Sequence, residues 1–180
     1  MKILSNTIII ILLVTCLCDS AFGRSVESWN FGWKFKSGNT PAAEAVSTDD
    51  SSWADINLPH DFQISQEWVE PSPDERPDMT NQMANVKSRL SPRGFKEMGI
   101  GWYRKSFVPD SAWIGKRVLL DFEGIMLTGD VYLNGTRVGG TDYGYLGTEI
   151  DLSAGLKYGQ KNTVAVKADT GKPENSRWYT

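Results

Sequence analysis

The dipeptide Asn134-Gly135 constrains this chain more than any other feature. It divides two β-rich runs, residues 129–133 and 136–138. Asn-Gly between such flanks closes a two-residue type I′ hairpin, because both turn positions need positive φ and these two residues tolerate it. The chain around it is therefore expected to be antiparallel sheet. Asn134-Gly135-Thr136 also spells an N-glycosylation sequon, and the turn accounts for it without a glycan.

The rest of the chain repeats that character. Residues 29–36 alternate aromatic and polar side chains and close at the turn cluster Ser37-Gly38-Asn39. Residues 53–58 form a second short run ended by Pro59, after a polar, alanine-containing loop or turn up to Asp50. Residues 102–108 make a strand that Pro109 ends. Residues 117–122 place Val118, Leu120 and Phe122 on one face, as a half-buried strand does. Residues 148–152 and 163–168 complete the set, with Val164, Val166 and Ala168 sharing a face. Short strands between turn signals, with no helical stripe, predict an all-β fold: an antiparallel jelly-roll β-sandwich in one domain. Residues 66–100 break the pattern. Pro71, Pro73 and Pro77 punctuate a charged stretch without period, and a loop this long inside a compact domain is usually functional or disordered.

Residues 1–23 read as an address. Lys2 supplies the positive start, residues 8–17 the apolar core, and Ala21-Phe22-Gly23 a small-x-small cleavage site. The apolar run falls short of the ~20 residues that span a bilayer, so a cleaved signal peptide is expected rather than a stable membrane span. A lipid anchor on Cys16 or Cys18 ranks lower, because Thr15 and Leu17 are poor neighbours for one. The expected location is periplasmic or extracellular. Both cysteines lie in this leader. Residues 24–180 therefore hold no thiol, and stability must come from an apolar core despite the oxidising destination. The net charge of −3 comes without a basic block, which argues against nucleic acid as partner.

Few residues suggest chemistry. His60 is the one histidine, and without cysteine partners it makes a poor metal ligand. Neither a metal site nor a cofactor is expected. Inside Leu58-Pro59-His60-Asp61 it is expected to order a turn through the backbone or Asp61. Asp49-Asp50 and Asp74-Glu75 are adjacent pairs, which on a strand point to opposite faces and do not converge on one bond; they and Glu123 read as solvated charge. One of Trp102 and Tyr103 is expected in the core and the other outward, and Trp29, Trp33 and Trp53 are expected as core anchors. The chain stops on Ser176-Arg177-Trp178-Tyr179-Thr180, with neither turn nor polar tail. A sandwich ending there is expected to lack its last strand.

Five segments occur in order: Leu58-Pro59-His60-Asp61, Gly101-Trp102-Tyr103-Arg104-Lys105, Phe122-Glu123-Gly124, Val131-Tyr132-Leu133-Asn134-Gly135 and Ser176-Arg177-Trp178-Tyr179. Together they resemble the N-terminal sugar-binding domain of family 2 glycoside hydrolases, the β-galactosidase, β-glucuronidase and β-mannosidase group. The resemblance covers residues 29–180, with 66–100 matching only loosely. It implies a jelly roll that precedes an immunoglobulin-like domain and a (β/α)₈ barrel carrying two catalytic glutamates. It assigns no catalytic residue to this chain. The parent activity it implies is retaining hydrolysis of a terminal β-linked sugar, with galactose the leading candidate. The carbohydrate would be met through the missing catalytic domain, in a full-length enzyme that could form a homo-oligomer.

Ser176, Arg177 and Trp178 would then frame the innermost sugar subsite, through an aromatic face and a fixed fork of donors. Simple sealing of the next domain's interface would explain the same residues. Glu67 and Trp68, on the long loop, are the candidates for restricting which sugar fits. Two other readings stay open. One is a free-standing carbohydrate-binding module without catalysis. The other is a structural surface domain that docks other proteins, which an exposed apolar patch would favour.

Overall fold

The computed structural model describes residues 23–70 and 95–171. They form two antiparallel sheets, and the only helical elements among them are short 3₁₀ turns. The strands are β1 (Trp33–Ser37), β2 (Ala54–Ile56), β3 (Ile100–Phe107), β4 (Leu119–Phe122), β5 (Thr128–Leu133), β6 (Thr136–Thr141), β7 (Thr148–Asp151) and β8 (Asn162–Asp169). Six of them make one sheet in the order β2-β1-β3-β8-β5-β6, and β4 pairs with β7 in the other. The expected all-β, antiparallel class is the one observed. All of the expected 1–23 leader except Gly23, most of the proline-rich excursion and everything beyond Gly171 lie outside the described residues. So does any last strand.

The hairpin forms as its dipeptide dictates. Asn134 and Gly135 sit at φ 52° and 84°, and Leu133 pairs with Thr136. The Asn134 side chain does more than tolerate the turn. Its amide donates to Gly155 O and to Asn162 Oδ1 (3.1 and 2.8 Å), and its oxygen accepts from Thr163 N at 3.0 Å. The sequon asparagine is thus committed inside the fold.

Alternation places the core. Val131 and Leu133 of β5, Val164, Val166 and Ala168 of β8, and Trp33, Phe35 and Tyr103 face the small sheet. There they meet Ile150 and Leu152, with Leu120 and Phe122 packed against them. The first strand is shorter than its aromatic pattern predicts. Gly32 at φ 71° interrupts the run, so Trp29 lies before β1 and packs edge-on against Trp33 and Phe107. Lys105 pins this segment by donating to Trp29 O and Phe31 O (3.1 and 2.8 Å).

The outer face of the large sheet differs most from expectation. Of Trp102 and Tyr103, one was expected inward and the other outward; Tyr103 enters the main core, but Trp102 on the opposite face is also buried, at 4% exposed. It points away from the core, yet residues 40–53 fold over it. Ala43, Trp53, Trp102 and Ala165 form a second apolar cluster there. Arg104 holds that cover down. It is buried, pairs with Asp50 at 2.9 Å, and donates to the carbonyls of Ala43, Ala45 and Thr48. The central strand β8 is consequently buried on both faces almost throughout.

Candidate functional site

The strand registers define one end of the sandwich. Ser37 lies beside Gly101, Ile100 beside Asp169, Asp169 beside Thr128, and Gly129 beside Thr141. The connections leaving this end are the β1–β2 segment at 38–53, which folds back over the outer face, the base of the 66–100 excursion, the β4–β5 crossing at 123–127, the β6–β7 loop at 142–147, and the chain beyond Asp169. The Asn134-Gly135 hairpin occupies the opposite end.

The excursion begins from an ordered stem. Trp68 and Lys96 form an antiparallel bridge, completed by Val69 N to Phe95 O and Glu97 N to Glu67 O (2.8 and 3.2 Å). Gln66 ties the stem to β1 through Ser37 Oγ at 2.8 Å, and Gln63 reaches Glu97 O. The Trp68 ring remains 71% exposed. Lys96 Nζ stands 4.0 Å from its centroid and donates to Gln66 O at 2.8 Å. One ring face is therefore held by a fixed cation, and the indole is presented at the surface in a set orientation. Glu67 is exposed beside it.

The chain leaves the sheet next to this stem. Thr170 N donates to Gly99 O at 2.9 Å, and the Thr170 hydroxyl bonds to Gly99 as well. Gly171 follows, its N–H donating to Asp169 Oδ1 at 2.9 Å. Of the sequence-derived site residues, Glu67 and Trp68 thus sit together at the end from which the chain departs. Ser176, Arg177 and Trp178 lie outside the described residues.

Several acidic groups among the described residues have structural duties, whereas Glu123 is exposed and Asp74 and Glu75 lie outside the described residues. Asp49, Asp61, Asp110, Asp151 and Asp169 each accept the backbone N–H two residues on, the local turn bond that this side chain favours. Asp50 serves Arg104. Asp130 pairs with Arg137 at 2.7 Å. The expected partner of His60 needs correction. Its Nδ1 lies 3.0 Å from Tyr103 Oη, and its ring packs edge-on to Phe35, while Asp61 caps the 3₁₀ turn Phe62–Ser65. Burial, with the charge of Asp61 adding to it, pushes the Tyr103 phenol far above its ordinary range. This group orders the core edge.

Sequence reasoning missed the β6–β7 loop. Tyr143, Tyr145 and Leu146 are 40%, 54% and 64% exposed, and the two tyrosine rings lie 6.1 Å apart at 56°. The signal was present in Tyr143-Gly144-Tyr145-Leu146-Gly147, where glycines between apolar residues follow a strand.

A family model described as the glycosyl hydrolases family 2 sugar binding domain matches residues 26–177. A putative beta-glucuronidase of Formosa agariphila is 32% identical over 95% of this chain and 15% of its own length. A beta-galactosidase of Bacteroides ovatus is 32% identical over 87% of this chain and 17% of its own. Among solved structures, a beta-glycosidase from Bacteroides vulgatus superposes with TM-score 0.67 at 34% identity, covering 88% of this chain and 19% of that one. The chain thus spans less than a fifth of each of these proteins.

Proposed function

The chain belongs to the sugar-binding domain family of family 2 glycosyl hydrolases, and from that premise we propose that it is the non-catalytic N-terminal domain of an exported glycosidase. Residues 1–23 act as a signal peptide, and the enzyme works in the periplasm or outside the cell. The parent hydrolyses O-glycosyl bonds to a terminal β-linked sugar, galactose first among the candidates. Its catalytic carboxylates come from outside these residues. Two similar proteins named for glucuronide and galactoside cleavage support the reaction class. Their split between two sugars leaves galactose resting on the sequence segments alone.

In this reading the domain lends side chains to the substrate pocket. Glu67 and Trp68 meet the sugar from the stem, and Ser176, Arg177 and Trp178 from beyond Gly171. The observation that carries it is the shared location: the stem strand that pairs with Glu67 and Val69 at residues 95–97 runs on to Gly99, and Gly99 is the residue that Thr170 bonds as the chain leaves toward Gly171. An exposed indole fixed in orientation suits the apolar face of a pyranose. The purified chain is expected to hydrolyse no aryl β-galactoside or β-glucuronide, and turnover by it would overturn the reading.

The free-standing binding module has one observation in its favour, the exposure of Trp68. It requires single sugars to bind more tightly than about 1 mM. The parent-domain reading requires weaker binding, seen by NMR titration as shifts confined to residues 66–70 and 95–99.

A further inference from the structure

We propose that this end of the sandwich receives a neutral glycan chain several rings long, with Tyr143 and Tyr145 forming a second stacking platform beyond Trp68. The proposal rests on the reading that the Trp68 end faces sugar.

The two aromatic surfaces share that end but not a position. The stem adjoins β1 through the Gln66–Ser37 hydrogen bond and runs directly into β3 at Ile100, whereas the tyrosine loop leaves β6. Three steps of the sheet separate β3 from β6, roughly 14 Å at the usual strand spacing. A glycan chain of several rings can span such a separation.

The loop is built to hold its rings. Tyr143 N donates to Thr141 Oγ1 at 3.1 Å, and that hydroxyl donates to Tyr143 O at 3.0 Å. Gly144 lies directly against Met126. A Cβ at Gly124 would stand 2.8 Å from Gly144 O, and one at Gly147 would stand 3.0 Å from Phe122 O. Backbone packed this closely onto the β4–β5 crossing fixes the loop that carries the tyrosines in advance, which lowers the ordering cost of binding. Tyrosine offers an apolar face and a polar rim, which suits a ring whose own faces are apolar and whose edge is hydroxylated. The exposed charges on these two connections, Glu123 and Asp142, are both acidic. They disfavour a polyanionic chain and leave a neutral one as the occupant.

The test titrates the full chain with a ladder of neutral β-linked galacto-oligosaccharides, from disaccharide to hexasaccharide, read by NMR. The hexasaccharide is expected to bind at least about tenfold more tightly than the disaccharide, because its second contact is intramolecular. The double substitution Tyr143→Ala with Tyr145→Ala should remove that length dependence. Tyr143→Phe with Tyr145→Phe should keep most of it. Trp68→Ala should weaken every rung. Equal affinity at all lengths in the native chain overturns the second platform and leaves the Trp68 site standing. Failure of every rung to bind overturns the sugar-facing reading itself. Should the alanine pair abolish self-association in sedimentation while sparing the length dependence, the loop is a protein interface and the proposal falls.

Discussion

Burying a guanidinium costs several kcal/mol unless its donors are matched, and Arg104 is matched by groups fixed in place. Its partners are Asp50 and three backbone carbonyls of the 43–48 segment. Lysine at this position would keep the charge but not the planar fork, so most of those acceptors would lose their donor. Arg104→Lys is expected to cost about 3 kcal/mol in urea unfolding, and hydrogen exchange in residues 43–53 should rise above that in β8. A second residue sets an acid limit. Hydrogen bonds from Ser153, its hydroxyl ahead of its backbone N–H, and then Arg117, hold the Asp151 carboxyl down from 3.8 to about 2. A carboxyl depressed in the fold binds its proton more readily when unfolded. Its contribution is therefore complete above about pH 4 and lost as pH falls toward about 2. Asp151 is exposed, so the effect is small. Asp151→Asn should flatten the acid limb of stability between those pH values and lower stability slightly at neutral pH, where the carboxylate's contribution is complete.

At the scale of elements, turn chemistry was the most legible part of the sequence. Gly135 holds φ 84° and follows Asn134 at 52°, a pair of positions that any β-branched residue resists. Gly135→Val should cost about 1–2 kcal/mol from the left-handed backbone alone, seen as a lowered urea midpoint without a change of slope. Alternation was equally legible where one face met the core, as in β5 and β8. It failed where a covering segment came from far away. Nothing local in Trp102 announces that residues 40–53 will fold over it, because the clamp is an arginine reaching carbonyls more than fifty residues distant. The stem was half legible. Trp68 stood out as an aromatic in a polar loop, but its bridge to Lys96 spans the proline-rich excursion and no periodicity encodes such pairing. Tyr143 and Tyr145 were passed over because a glycine-rich connection between two strands reads first as a turn.

The whole molecule depends on a small sheet staying docked on a large one. β4 and β7 contribute few residues, and the one that is fully buried is Ile150. It is buried in the core shared by both sheets, and its Cδ1 fills the space where a Cβ on Gly139 would lie, 2.5 Å away. Gly139 belongs to β6 at the edge of the large sheet, so this is a contact between the sheets made by a missing side chain. Two consequences follow from close packing. Ile150→Ala should cost about 2–5 kcal/mol, with loss of sheet signal and of Trp33 burial at one midpoint, because the core that Ile150 enters is shared by both sheets. Gly139→Ala should cost about 1–3 kcal/mol in the native background by overpacking. In the Ile150→Ala background the added methyl enters vacated space, so its cost should shrink or change sign. A double-mutant cycle with a coupling of at least about 0.5 kcal/mol would place the docking of the sheets at this contact. Additive costs would mean that the small sheet is held elsewhere, along Leu120, Phe122 and Leu152.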